Sequence, residues 1–237
     1  MAQFNDEIAL VTGASRGIGA ATGLALAEAG AHVVLTGRDT KALEQVEQQI
    51  HEAGGSATIA PVDLADPEGI ARLATAIAER WQRLDMLVIN AALLPQLSSV
   101  ADIDQLAYNQ ALTVNVLATQ ALIANFDPLL RQSANPRVVG LTSGVGRQPK
   151  AYWSAYASTK AAFDVLLDCY SQEVRNISKV RVAIVSPGAT RTDMRARAYP
   201  GEDPATLKPP GVVADRLVAL LGEQFESGHR ESVNQSR

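Results

Sequence analysis

Short apolar runs alternate with stretches in which apolar residues recur every three or four positions, from one end of the chain to the other. The runs Ile8–Thr12, His32–Thr36, Ala57–Val62, Met86–Ile89, Val138–Thr142 and Val180–Val185 predict strands. Several are continuously apolar, as strands buried on both faces must be. The helical stretches between them have readable ends. The first starts at Ile18, sets Ile18, Ala21, Ala25 and Leu26 toward one side, and stops at Ala29-Gly30. The second starts near Asp39, carries Leu43, Val46 and Ile50 on one stripe, and ends at Gly54-Gly55. The third opens on Asp66-Pro67, a capping acid followed by proline at the first helical position. This alternation predicts an α/β fold, a doubly wound parallel β-sheet with helices on both faces. No linker, repeat or composition shift divides the chain, so residues 1–237 are read as a single domain.

Sheets of this kind bind ligands at the carboxyl ends of their strands, so the residues after each strand matter most. The first strand breaks into Thr12-Gly13-Ala14-Ser15-Arg16-Gly17-Ile18-Gly19, a glycine-rich loop that opens a helix. Strand, tight loop and helix start aim backbone N–H groups and the positive helix end at a phosphate. That context makes the domain Rossmann-type and residues 12–19 its cofactor loop, with Gly13, Ser15, Arg16, Gly17, Ile18 and Gly19 as contacts. After the second strand, proteins that prefer NAD place an acid for the ribose hydroxyls. Here Gly37 stands in that place and Arg38 follows, while Arg16 can reach the same point. A guanidinium grips a 2′-phosphate with two parallel bonds, so NADP(H) is preferred and NAD(H) remains possible. Asp63, at the end of the third strand, either accepts from an adenine amine or caps the turn that follows.

Farther on, Tyr156 and Lys160 lie four apart in a helical stretch, on one face. A phenol is a poor base at neutrality, and a neighbouring ammonium lowers its pKa toward useful acid–base strength. Ser143 closes a strand thirteen residues before Tyr156, where its hydroxyl can donate to a carbonyl oxygen. Asn115 is an amide in an otherwise apolar helical pattern and needs buried partners.

The loop Thr12-Gly13-x-x-x-Gly17-x-Gly19 and the set Asn115, Ser143, Tyr156 and Lys160 resemble, in order and spacing, the short-chain dehydrogenase/reductase family from Ile8 to about Thr192. The resemblance implies a tyrosine general acid–base, a serine that polarises the carbonyl, a lysine that tunes the tyrosine and binds the cofactor, and an asparagine that holds a relay water. It implies that Asp63 and Leu64 contact adenine, that Asn90 and Ala91 line the nicotinamide ribose, and that Ala92 replaces a usual glycine. It further implies that Pro187, Gly188 and Thr190 form a cofactor turn, with Thr192 at the nicotinamide carboxamide. The segment Ser186–Pro209 is similar to a bacterial subgroup of unassigned substrate. By position, residues 193–211 are expected to form a substrate lid, with Tyr199–Gly211 as a long irregular insertion. Gly228–Val233 is polar and gives no apolar signal for the family's seventh strand.

Composition narrows the setting. The chain has 237 residues, 47% of them hydrophobic, and a net charge of −4, so no basic bulk suits nucleic acid or anionic lipid. No apolar run reaches a membrane span and no charged leader precedes an apolar segment, so a cytoplasmic protein is expected. The lone Cys169 is expected to be a buried structural thiol, and His32, His51 and His229 have no metal-ligand spacing. The sequence therefore predicts hydride transfer between NADP(H) and a small-molecule carbonyl or secondary alcohol, in a homodimer or homotetramer built on the helices carrying Asn115 and Tyr156. Expected pocket residues are Leu93, Leu94, Pro95, Arg147, Gln148, Trp153, Met194 and Arg195. Two alternatives are a non-catalytic NADP(H) sensor or scaffold, and a 3-oxoacyl-carrier-protein-type reductase docking an acidic carrier at Arg147, Arg191, Arg195 and Arg197.

Overall fold

The computed structural model describes residues 3–233. Seven parallel strands form one sheet in the order β3-β2-β1-β4-β5-β6-β7. They are β1 (Ile8–Thr12), β2 (His32–Gly37), β3 (Ser56–Pro61), β4 (Met86–Ile89), β5 (Arg137–Leu141), β6 (Arg181–Ser186) and β7 (His229–Ser232). The six apolar runs become six strands within a residue or two of their expected bounds. The seventh forms as well, in register with β6 from Ala183↔His229 to Ser186↔Ser232, although its own sequence is polar.

Successive residues of each run point to opposite faces, and both faces are covered, which explains why the runs are largely apolar. Ala9 and Val11 face one core with α1 (Gly17–Glu28), α2 (Thr40–Glu52) and α8 (Pro210–Gly222). Ile8 and Leu10 face the other, with α3 (Pro67–Trp81), α5 (Ala118–Leu130) and α6 (Ser154–Val174). Asp39 and Asp66 cap α2 and α3 as expected, accepting from the N–H of Ala42 and Glu68. The expected stripe on α1 is displaced. Its buried face is Gly19, Thr22, Gly23, Leu26 and Ala27, because helix and sheet approach closely at the two glycines and small residues give little amphipathic signal.

Two features set the geometry of the cleft. The strand order reverses between β1 and β4, so the loops after these strands open a crevice at the sheet's carboxyl edge. At the other end, Gly140 lets α6 pack directly on β5. A Cβ there would collide with Leu167 and lie 2.9 Å from Phe163. Between β4 and β5, α4 (Gln105–Leu112) runs into a π-helical turn, Thr113–Leu117, before α5. Among the described residues no helix is long and apolar enough to cross a membrane.

Candidate active site

The cleft, about 710 Å³, opens over the loop between β1 and α1. Gly13 and Gly17 there have φ of +65° and +58°. A Cβ on Gly19 would strike the Gly13 carbonyl and lie 2.6 Å from Asn90 Nδ2, so the loop closes only on glycine. Helix α1 starts with no side-chain cap and no acid in its first turn, which leaves its leading N–H groups to an outside anion. Thr12, the first residue of the motif, ties the two crevice loops together. Its hydroxyl accepts from the N–H of Asn90 at 2.9 Å and of Ala91 at 3.1 Å. The Asn90 amide returns bonds to the carbonyls of Thr12 and Gly13. A bare helix start beside close-approaching backbone, in a cleft of this volume, fits a dinucleotide pyrophosphate.

Ser15, Arg16, Gly17 and Ile18 line the cleft, and so does exposed Arg38 beyond β2. The neighbouring acid, Asp39, caps α2 through one carboxylate oxygen, and among the described residues Arg38 forms no ion pair. Arg16 is about three-quarters exposed and stands 4.0 Å from Asp193 across the cleft, a weak pair in water. Asp63 caps the turn that follows β3 and also faces the cleft. One carboxylate oxygen accepts from the Ala65 N–H, and the residue still lines the cleft beside Leu64. Asn90, Ala91 and Ala92 line it from β4, and Ala92 stays out of the left-handed region, so alanine replaces the usual glycine without strain.

Tyr156 and Lys160 face the cleft from α6, both buried. The Lys160 ammonium donates to the Leu141 carbonyl at 2.7 Å and sits 4.3 Å above the Phe163 ring. Burial lowers its pKa from 10.5 to about 8, and the charge of Asp164, one turn on, partly opposes that. The expected lowering of the tyrosine is not found. Burial among Val145, Ala157, Leu94, Trp153 and Met194 pushes the Tyr156 phenol well above its ordinary value, and its hydroxyl meets only Met194 Sδ, at 3.9 Å. A phenol held protonated in this way is a proton donor.

Ser143 and Asn115 do not line the cleft. Ser143 is partly exposed at the head of a short turn after β5, next to Leu141 and Thr142, which do line it. Asn115 is 1% exposed in the π-helical turn. Its Oδ1 accepts from the Leu93 N–H at 2.7 Å, and its amide donates to the Leu93 carbonyl and to Thr159 Oγ1, both at 2.9 Å. All three bonds brace the loop after β4 against α6, and Oδ1 keeps a second acceptor position.

After β6, Pro187 and Thr192 line the cleft whereas Gly188 and Thr190 lie behind it. Gly188 turns the chain at φ +65°, and buried Thr190 donates back to the carbonyls of Pro187 and Gly188. Thr192 caps α7 (Asp193–Ala198), accepting from the Arg195 N–H, and its methyl faces Gly17. The Tyr199–Gly211 stretch is more ordered than an irregular insertion. Lys208 is buried and donates to the Ala189 carbonyl at 3.0 Å, a short turn spans Pro204–Thr206, and α8 already begins at Pro210.

Of the expected pocket residues, Leu93 and Met194 line the main cleft, while Leu94 and Pro95 line a second cavity beside it. Trp153 packs against Tyr156 and Tyr199, and Gln148 is on the surface. Arg195 is held by Glu202 through two bonds of 2.6 Å and stacks on Tyr199, and Arg147 pairs with Asp164 at 3.6 Å. These pairs neutralise half of the cationic patch expected to receive a carrier protein. Cys169 is exposed rather than buried, on the outer side of α6. Asp164 was absent from the sequence reading because a helical aspartate carries no pattern of its own.

With this geometry in hand, the comparisons with known proteins agree. The short chain dehydrogenase family profile matches residues 7–203. The chain is 37% identical over 223 residues to the uncharacterized oxidoreductase YciK of Escherichia coli K12, spanning 93% of this chain and 88% of that one. A short chain dehydrogenase from Shigella flexneri 2a, solved complexed with NADP, has a TM-score of 0.94 at 34% identity, covering 98% of each chain. Another, from Escherichia coli CFT073 and complexed with NADPH, has a TM-score of 0.93 at 36% identity, again over 98% of each. A profile match over most of the chain, and relatives that superpose along nearly all of it, make this protein an oxidoreductase of the short-chain dehydrogenase/reductase family.

Proposed function

We propose that the protein is an NADP(H)-dependent carbonyl reductase or alcohol dehydrogenase with Tyr156 as its general acid–base. The observation that carries the reading is one cleft holding the glycine loop and Arg38 at one end and buried Tyr156 and Lys160 at the other. The relatives complexed with NADP and NADPH support the choice of cofactor. Gly13, Gly17, Ile18 and Gly19 would hold the pyrophosphate, Arg38 and Arg16 the 2′-phosphate, and Lys160 and Asn90 the nicotinamide ribose. Bound nicotinamide supplies the hydride that the carbonyl carbon accepts. Tyr156 gives its proton to the oxygen as that charge develops, and Ser143, at the head of the neighbouring turn, polarises the same oxygen. A phenol raised by burial holds its proton until an alkoxide draws it off. Residues 193–211 serve as the substrate lid, placing Met194 over the phenol.

Replacing Tyr156→Phe is expected to lower kcat by about 10²- to 10⁴-fold with NADPH affinity retained. Full turnover in a folded Tyr156→Phe protein would end this reading and favour a cofactor sensor. Arg38→Ala is expected to weaken NADPH about ten- to a hundred-fold, leaving NADH little changed. Equal losses for the two cofactors in a titration would move the phosphate site elsewhere.

The assembly we infer is a homodimer through the outer faces of α6 and of the π-helical turn that leads into α5, where Val165 and Leu117 are 60% and 62% exposed. Light scattering should give a dimer for the native chain and a monomer for Leu117→Glu/Val165→Glu. A dimer that survives both charges would place the interface on another face.

A further inference from the structure

We propose that Arg197 is an anion-binding residue for substrate, and that the preferred substrates are carbonyl compounds with an apolar body ending in a carboxylate or phosphate. The inference rests on the carbonyl-reductase reading and adds the substrate class.

A second cavity of about 410 Å³ adjoins the main cleft. Its walls are Leu94, Pro95, Leu97 and Ala198, with the amide of Gln96 and the guanidinium of Arg197 as its polar groups. Arg197 lines both cavities and is therefore where they meet. Helix register puts this junction near the reacting atoms. Met194 touches the Tyr156 hydroxyl, and Arg197 lies three residues later on the same face of α7, where Cβ atoms are about 5–6 Å apart. Arg197 thus leaves the helix about one turn from Met194, the residue that meets the phenol.

Charge bookkeeping singles out this arginine. Glu202 neutralises Arg195, Asp164 pairs with Arg147, and Arg16 stands opposite Asp193. Arg197 has no ion pair among the described residues, and no acid lines the second cavity. One uncompensated cation at the mouth of an apolar chamber selects a ligand with a hydrocarbon body and one anionic end. The charge-assisted bonds of a guanidinium reward a carboxylate or phosphate over a neutral end group. Arg191 also lines the main cleft, but beside Pro187 and Thr192 on the cofactor side, and it does not reach the second cavity.

The test reads binding, so it does not depend on guessing the reactive ketone. Straight-chain carboxylates of four to eight carbons and their primary amides are titrated calorimetrically into protein saturated with NADPH, which blocks the 2′-phosphate site. At the best length the carboxylate is expected to bind at least tenfold tighter than the amide. Arg197→Gln should bring the two affinities together, and Arg197→Lys should keep part of the gap. Equal affinities in the native protein, or a gap that survives Arg197→Gln, would overturn the proposal. The matching oxo-acids and their methyl esters are then assayed for NADPH oxidation. Loss of Tyr156 dependence in that assay would defeat the reaction reading, whereas missing acid-over-ester discrimination with Tyr156 dependence intact would defeat only the anion site.

Discussion

A fully buried ammonium is costly, and Lys160 shows the cost as a pKa lowered from 10.5 to about 8. Between those values the folded protein binds fewer protons than the unfolded chain, so the Lys160 contribution to stability rises with pH across that window. Activity runs the other way if the charged form is required. The kcat/KM for carbonyl reduction should fall as pH rises through about 8, and Lys160→Met should abolish that limb along with most turnover. Asp164→Asn, which removes the charge that supports Lys160, should move the limb to lower pH; an unmoved limb would assign it to another group. Gly19→Ala should cost about 1–3 kcal/mol through overpacking against the Gly13 carbonyl, read as a lower Tm and weaker NADPH binding. The glycines, Arg38 and the Tyr156/Lys160 pair were all legible in the sequence because motif spacing encodes them. The direction of the Tyr156 shift was not, because it depends on the apolar shell of Met194, Trp153 and Val145, which come from three separate segments.

Six strands were legible because strands buried on both faces announce themselves as apolar runs. β7 was not, because charge and main-chain pairing hold it at the sheet edge. Its alternating residues reach opposite layers. Glu231 takes Arg216 of α8 at 2.7 Å, whereas Arg230 takes Asp164 of α6 at 3.1 Å and also Asp168. Asp164 further accepts from Thr142, the residue between the Lys160 acceptor Leu141 and Ser143. Asp164→Ala would take one of two carboxylates from Arg230 and leave the buried Thr142 hydroxyl without its acceptor, at a cost of about 3 kcal/mol. A Tm drop on the order of 10 °C should be seen by calorimetry, and a change below 2 °C would mean the cluster is solvated. The π-helical turn was equally silent in the sequence, since only the extra residue in its hydrogen-bond ladder turns Asn115 inward.

A chain of this size gains stability from its cofactor by mass action. NADPH at a hundred times its Kd should add about 2.7 kcal/mol, a Tm rise of roughly 5–10 °C, with a smaller rise for NADH at the same concentration. Arg38→Ala should erase the difference between the two cofactors, and equal shifts in the native protein would argue against NADP(H) preference. Fold class, layer arrangement and the crevice at the strand reversal follow from the order of runs and helices, which is why they could be read before any coordinates. The joining of the last strand to the helix that carries Tyr156 and Lys160 could not, because Arg230 and Asp164 are 66 positions apart. That join has a hereditary consequence. A gene encoding this protein cannot drift freely at codon 230, since a charge change at Arg230 is felt by Asp164, one turn from Lys160. A library randomised at positions 164 and 230 and selected for turnover should return compensating pairs of opposite sign, inherited together.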